Sequence, residues 1–489
     1  MGRWRALAIA LLVAIVLIVV LASRSQGPGP APMPKGPVLH LTAGPGRALA
    51  PALMGIDGEA IIGRGVWSTP QFLRVVGALH PQALRVFGGT PANFWNWRTG
   101  TYVHSARVPA SLSALRAHIR VTLADWARLV RAAGAMPVFD LNMFTSSLRS
   151  QLAMLHAASR LGMPIRYVEL GNELYMPQYA VRFRDGADYG RVSSRWIAAI
   201  RRAFPGVAVA ADAYPGHDRN SGTEYPRERR WNSALLRTLR GESALSLHAY
   251  FTSGLGPSAS LASPVAAATL LRSPARRWTA LGRLIARFPP RLKVWVTEWN
   301  LFDTLARVHG TWDQGLAVAA FGLELVSESR VVQSDYETLV DSAPFGAIFG
   351  RTTNGLQLSG GSGDQPGFRA VAARAPATPP FGLATGGVAL RALLGALAGA
   401  TVSRPLGAGP VHGLVVGGRR GFSAVFVNLS ARPYTLPVPS VLRGLPYTEW
   451  WGRPITLVAG AASLHSGSGT TRATFGLEPF SLLQIGGAQ

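Results

Sequence analysis

Two glutamates occupy equivalent places in this chain. Glu173 closes the segment RYVELGNE (166–173), and Glu298 sits near the end of VWVTEWN (294–300). Each follows a short apolar run of the kind that forms a buried strand. Only 24 of the 489 residues are Asp or Glu, so two carboxylates arriving in this way form a pattern. Taken singly, Glu173 could cap a following helix and Glu298 could pair with an arginine. Taken together, they suit acid–base and nucleophilic work on one bond. Cleavage of a glycosidic bond needs two carboxyl groups flanking the scissile oxygen. In the retaining form they stand about 5–5.5 Å apart, one as nucleophile and the other as acid and then base. That division asks for a raised pKa on the acid and a lowered one on the nucleophile.

Other chemistries find little support. The ten histidines include no HExxH spacing, so no metal site is expected. There is no cysteine, which excludes disulfides, thiolate metal ligands and a thiol nucleophile. No GxSxG elbow, P-loop or glycine-rich dinucleotide turn appears, and no cofactor is expected.

Positioning two strand-end carboxylates requires a particular frame. Apolar strand-like segments recur at ALMGID (52–57), ALRVFGG (83–89), MPVFDLN (136–142), RYVELGNE (166–173), VAVAADAY (207–214), ALSLHAY (244–250) and VWVTEWN (294–300), with a weaker eighth at VVQSDYETL (331–339). Helix-like amphipathic runs lie between them, at 111–134, 150–162, 191–204 and 278–288, and another follows at 382–399. Strand–helix alternation implies a parallel sheet. Eight such units suit a (β/α)8 TIM barrel over residues 50–399, whose reactive groups gather at the C-terminal ends of the strands. Residues 350–380, with GGSGDQPG, read as a long loop before the last helix. From residue 400 the texture changes to short alternating segments broken by Gly, Pro and Asn, which implies a C-terminal β-sandwich over 400–489. The segment PVLHLTA begins a stretch, 37–49, expected to add a strand to that sandwich.

At the other end, residues 6–22 carry no polar or charged side chain, and Arg3 and Arg5 precede them. Basic residues before an apolar segment keep that end in the cytoplasm. Residues 1–23 therefore read as a signal anchor or as a signal peptide cleaved near Ala22, and 24–36 as a Pro/Gly linker. The expectation is an exported body, held at a membrane or secreted.

The formal net charge is +25. It could attract an acidic saccharide or a membrane face, or it could be compositional, since Lys35 and Lys293 are the only lysines and the rest is arginine. The arginines are scattered, with short pairs such as Arg201–Arg202 and Arg419–Arg420, so nucleic acid is not an expected partner.

With these segments in view, the chain resembles clan A of the glycoside hydrolases. The likeness rests on LGNE before a strand-four acid, VTEW at strand seven, LRVFGGTPANFW (84–95), VFDLN (138–142) and YVELGNELY (167–175). Within the clan it looks most like family 79, the heparanase and β-glucuronidase-like enzymes; family 51 arabinofuranosidases and family 39 xylosidases are close. The resemblance implies Glu173 as acid/base and Glu298 as nucleophile. It implies Asn172 as a ligand of the sugar 2-hydroxyl and Arg85 as the cation that keeps Glu298 ionised. His248 and Tyr250, in LHAY, would line the site and orient the nucleophile; a core histidine is the lesser reading of His248. Asp57, Glu59, Asp140 and Asn142, at earlier strand ends, are candidates to bind hydroxyls. Trp95, Trp97, Tyr175, Tyr179 and Trp299 follow strands closely and could present rings to a sugar's CH face. The partner would be a poly- or oligosaccharide. A non-catalytic envelope carbohydrate-binding protein is the alternative from a different class, and the presence of both glutamates weighs against it.

Overall fold

The computed structural model describes residues 36–59, 66–116, 119–217, 224–255, 264–302, 308–341, 345–349, 381–456, 458 and 463–488. The apolar run at 6–22, the linker and the 350–380 loop lie outside the described residues. Among the described residues no helix is long and apolar enough to cross a membrane.

Eight strands close into a parallel barrel: β1 (Met54–Gly58), β2 (Ala83–Val86), β3 (Met136–Asp140), β4 (Tyr167–Leu170), β5 (Ala208–Asp212), β6 (Ala244–His248), β7 (Lys293–Trp299) and β8 (Val331–Tyr336). They follow one another around the ring in chain order, and β8 returns to β1 through Ser334 opposite Met54 and Tyr336 opposite Ile56. This is the TIM barrel expected from the strand–helix alternation. Side chains on alternate positions point outward under the helices. Leu84, Val86, Phe139, Val168, Leu245 and Val296 are all fully covered there. The long amphipathic run 111–134 is two helices, Ala110–Leu115 and Leu123–Ala133. The break has a local cause. Thr122 and Asp125 form a reciprocal capping box, with Thr122 N donating to Asp125 Oδ2 at 2.9 Å, and a helix starts where its first N–H groups find such partners. Val121 just before it is tied to the Gly100 carbonyl at 2.7 Å instead.

The barrel interior changes character along its axis. At the N-terminal end, Ala83, Val138, Ala210 and Ala244 surround Trp295, with Tyr167 edge-on to the indole at 5.7 Å. Three alanines at facing positions leave the volume one large ring fills. Higher up, the buried inward-facing residues are polar: Arg85, Asp140, Glu169, Asp212, Ser246, Thr297, Gln333 and Asp335.

Beyond the barrel, an antiparallel sheet is built on Ala400–Ala408, Val411–Gly418, Gly421–Asn428, Ser481–Ile485, Pro446–Trp451 and His465–Thr470, paired in that order. A two-stranded sheet, Tyr434–Pro437 with Thr474–Leu477, contributes the other face. Phe426, Leu436, Phe475, Leu477, Leu483 and Ile485 pack between them. Thr42–Ala43 pairs antiparallel with Leu406 and Gly407, and Arg47–Ala48 with Ser403 and Val402, so the segment before β1 belongs to the same sheet. The helix Trp312–Ser327 starts at the junction: Trp312 N donates to Thr456 O and Asp313 N to Pro454 O, each at 2.9 Å.

Candidate active site

Arg85, at the inward third position of β2, organises the site. Its side chain is fully buried. Nε donates to Glu169 Oε2 at 2.6 Å; Nη1 donates to Asp57 Oδ2 at 2.6 Å and Glu298 Oε1 at 2.9 Å; Nη2 donates to Asp140 Oδ2 at 3.0 Å and Asn172 Oδ1 at 2.8 Å. A guanidinium has five N–H donors, and all five are spent. One positive charge thus serves four carboxylates from β1, β3, β4 and β7.

The two glutamates meet across this hub. Glu298 reaches the interior because β7 is irregular. The register slips between Val296 and Trp299 against β8, and between Leu247 and His248 on the β6 side. Strict alternation would put Thr297 and Glu298 on opposite faces; the bulge lets both point inward. Thr297 Oγ1 donates to Glu169 Oε1 at 2.7 Å while Glu298 takes Arg85. Glu173 lies beyond the end of β4 in the left-handed region, at φ 50°, after Gly171 at φ 86°. At Gly171 a Cβ would also meet Leu174 Cδ1 at 2.5 Å, so this turn needs glycine.

His248, on β6, stands between the pair. Its Nδ1 is 3.0 Å from Glu173 Oε1 and 3.2 Å from Glu298 Oε2. Tyr175 OH donates to Glu173 Oε1 at 3.0 Å, and Tyr250 OH donates to Glu298 Oε2 at 2.7 Å. One oxygen of each glutamate and a His248 nitrogen all lie within 4.8 Å of one another. Burial alone would lower the His248 pKa, but the Glu298 and Glu173 carboxylates push it up to about 10. The imidazole is therefore a cation at neutral pH. Partial burial raises the Glu173 pKa, yet the hydrogen bond and charge of His248 bring it below the ordinary carboxyl range. Glu298 ends above that range, because burial outweighs His248 and Arg85. Without a sugar in place this order is the reverse of the one the sequence reading assigned, and the reason is visible. Arg85 divides its charge among four acids, so Glu298 receives only a share.

The flanking loops are tied down from several sides. Asn93 Nδ2 donates to the Asn172 carbonyl at 2.7 Å, and Asn93 Oδ1 accepts from Asn172 N at 3.4 Å. Leu174 N donates to Asp212 Oδ2 at 2.5 Å. Arg227 lies over the Trp231 ring and donates to the carbonyls of Leu174, Tyr175, Met176 and Phe183, which fixes the turn carrying Glu173. Arginines spent on backbone carbonyls in this way account for part of the positive charge without any anionic partner.

The structure brings Glu173, Glu298, Asn172, Arg85, His248, Tyr250 and Tyr175 together. Asn172 Nδ2 and His248 Nε2 are buried and have no hydrogen-bond partner among the described residues. Asp57 and Asp140 belong to the Arg85 cluster, each keeping one buried oxygen without a partner. Five expected residues need correction. Trp299 is not a sugar platform. It resumes the outward face of β7 and is fully buried against Phe321 and Tyr336, with ring centroids 5.8 and 5.4 Å away. Asn142 does not offer its amide to a hydroxyl. Its Nδ2 donates to Trp95 O and Thr145 Oγ1, and its Oδ1 accepts from Thr145, so it fastens the turn after β3. Trp95 is core on one face, stacked on Phe87 at 4.1 Å. Trp97 has Arg98 over its ring, and Tyr179 is buried edge-on to Phe144. Glu169, Asp212, Asn93 and Glu337 were missed. Asp212 and Glu337 stand at or just past the ends of β5 and β8, so the strand-end rule could have found them; Glu169 lies one layer deeper.

No protein-family model matches the sequence, and no curated protein does so either. Solved structures do match in fold. A family 51 α-L-arabinofuranosidase from Bifidobacterium longum superposes with a TM-score of 0.66 at 15% identity, over 92% of this chain and 100% of that one. The α-L-arabinofuranosidase of Thermotoga maritima, solved with arabinose, gives 0.64 at 15% identity over 90% and 96%. A 4-O-α-L-rhamnosyl-β-D-glucuronidase from Fusarium oxysporum gives 0.53 at 13% identity over 93% and 99%. These neighbours are glycoside hydrolases, and the likeness to family 79 read from the sequence motifs gains no support over family 51. What the comparisons establish is a shared architecture: a TIM barrel followed by an antiparallel sheet domain, matched along nearly the whole chain.

Proposed function

We propose that this chain is a retaining glycoside hydrolase whose glycone is a neutral sugar, with an α-L-arabinofuranoside as the first substrate to test. One observation carries the reaction type: an oxygen of Glu173 and an oxygen of Glu298 lie within 4.8 Å of each other, with His248 between them. That separation suits double displacement, whereas inversion needs room for a water, about 6.5–9.5 Å. Glu298 attacks the anomeric carbon while Glu173 gives a proton to the leaving oxygen. Glu173 then takes a proton from the water that releases the sugar. His248 Nδ1, 3.0 Å from Glu173 and 3.2 Å from Glu298, is placed to pass a proton to Glu173 once a bound sugar excludes water. Asn172, with its amide donor unspent, is placed to hold a sugar hydroxyl.

The neutral glycone follows from charge. A uronate is held best by a cation that no other carboxylate already uses. Among the described residues the cations of the site are Arg85 and His248, and both are already committed to carboxylates. The full-length fold likeness to several α-L-arabinofuranosidases supports the pentofuranose over a hexuronate. Aryl α-L-arabinofuranoside, β-D-xyloside and β-D-glucuronide should be compared with the wild type and with Glu298→Gln. Turnover of the arabinofuranoside should fall by at least about 1,000-fold in the variant with ligand binding kept, as when one member of a concerted catalytic set is removed. Hydrolysis unaffected by the substitution would end the hydrolase reading, and preferential cleavage of the glucuronide would end the neutral-sugar reading alone.

A further inference from the structure

Glu337 is the residue the double-displacement scheme leaves unused. It follows β8 directly, its side chain is buried, and its backbone is held on both sides: N donates to Trp299 O at 3.1 Å, and O accepts from Asn300 Nδ2 at 2.5 Å. One carboxyl oxygen each of Asp57, Glu298 and Glu337 lie within 4.8 Å of one another. Glu337 Oε2 and Asp57 Oδ1 are both buried with no hydrogen-bond partner among the described residues. The seat of these acids is cleared by the two glycines after β2. A Cβ on Gly88 would fall 1.7 Å from Asp57 Oδ1, and one on Gly89 would fall 2.1 Å from Glu59 Oε1.

Three carboxyl groups gathered this closely in a buried site cannot all be ionised, so at least one keeps a proton. The groups facing Glu337 are Asp57 and Glu59 from the β1 side, Glu298 from β7, Tyr250 from β6 and its neighbour Tyr336. The nearby guanidinium, Arg85, has no N–H left. Neutralisation by a proton is what remains.

Resting on the hydrolase reading above, we propose that Glu337 is a positioning residue for Glu298: it keeps its proton and donates it to Asp57, so that of the two only Asp57, already paired with Arg85, carries charge beside the nucleophile. Burial, with Glu59 and Asp57 beside it, pushes Glu337 well above the ordinary carboxyl range, which agrees with this assignment. The dependence on pH has a definite sign. Glu337 is uncharged at low and neutral pH and loses its proton as pH rises, adding a second negative charge to the pair beside Glu298 and weakening the hold on the sugar.

Glu337→Gln keeps a neutral donor of nearly the same shape, and Glu337→Ala removes it. With the full-length chain and the arabinofuranoside, kcat/KM against pH should stay within about 3-fold of wild type for Glu337→Gln, with its alkaline limb moved up by about one pH unit or more. Glu337→Ala should lose about 10-fold or more in kcat. Without substrate, the infrared difference between wild type and Glu337→Gln at neutral pH should show the loss of one protonated-carboxyl band. A Glu337→Gln enzyme as inactive as Glu298→Gln at every pH, an alkaline limb unmoved in both variants, or an unchanged infrared spectrum would each overturn the assignment. If Glu298→Gln proves fully active, the hydrolase reading falls, and the infrared band still decides where the proton lies.

Discussion

Inside the barrel, Arg85, Asp57, Asp140, Glu169 and Glu298 meet at hydrogen-bond distance; inside the sandwich, Phe426, Leu436, Phe475, Leu483 and Ile485 meet carbon to carbon. Both interiors are closed to water, so the comparison isolates what each gains from burial. An apolar side chain such as Phe426 stabilises the fold simply by leaving water, by about 1.5–3 kcal/mol. A buried ion loses several kcal/mol of solvation and recovers it only through well-aligned partners. The barrel therefore concentrates its partners on one residue. The difference teaches where the chain tolerates cost: the ionic layer sits at the C-terminal end of the strands, directly beneath Glu173 and Glu298, while the Trp295 floor of the same barrel is as apolar as the sandwich.

Removing Arg85 should break this arrangement most severely. Arg85→Ala leaves four buried carboxylates without their cation, and loss of one partner of even a single buried pair costs about 3–5 kcal/mol. Thermal or denaturant melting should show destabilisation of at least that size, with turnover lost. Arg85→Lys keeps the charge but supplies three donors in place of five. It should recover part of the stability and little of the activity. A variant without Arg85 that melts like the wild type would show that the carboxylates are neutral without it.

Phe426→Ala probes the other interior. Its ring is fully buried between the sandwich sheets, and such truncations cost about 3–5 kcal/mol. The expectation is a lower melting temperature with KM and kcat of the remaining folded enzyme unchanged. A shift in KM would show that the sandwich shapes the site, and the contrast between the two halves would have to be redrawn.

How much of this was legible in the sequence depends on which rule each residue obeys. The barrel could be read because eight apolar runs alternate with amphipathic ones, a pattern that survives local irregularities. Glu173 and Glu298 could be read because strand ends collect the reactive groups of such a barrel, whereas Asn172, Arg85, His248 and Tyr250 were implied by the resemblance to clan A. Trp299 could not be placed, because whether it or Glu298 faces inward depends on a bulge of one residue. Asn142 looked like a free strand-end amide, and only the course of the chain to Thr145 shows it to be spent. Glu169 sits mid-strand, where a charge flanked by Val168 and Leu170 carries no signal of its partner, 84 residues away at Arg85. The helix at 111–134 failed on a capping box, Thr122 with Asp125, whose letters were there to be read. The inverted charge order of Glu173 and Glu298 is of another kind. It comes from the burial of Glu298, from the His248 contact that favours ionised Glu173, and from an Arg85 charge shared by four acids, none of which shows before the chain is folded.

The smallest effect is expected where the two interiors touch. Asp313 lies in the first turn of the helix Trp312–Ser327, whose backbone N–H groups bond across to the loop at Pro454 and Thr456. A helix N-terminus favours a carboxylate, but burial pushes the Asp313 pKa up to about 7, and its Oδ1 has no hydrogen-bond partner among the described residues. At this place desolvation wins over the dipole. Because the folded value lies above that of the unfolded chain, near 3.9, the proton on Asp313 favours the folded state. The contribution is full below about pH 4 and is lost as pH rises toward 7, since the unfolded state ionises first. Asp313→Asn cannot ionise and should lack this dependence. The buried acids of the barrel bend the stability of both proteins in the same direction, so the difference between wild type and variant isolates the junction. Between about pH 5 and about pH 8 the wild type should lose about 2–4 °C more in melting temperature than Asp313→Asn. Parallel melting curves across that range would place the Asp313 charge in water, and the junction would then be solvated rather than a continuation of the two dry cores.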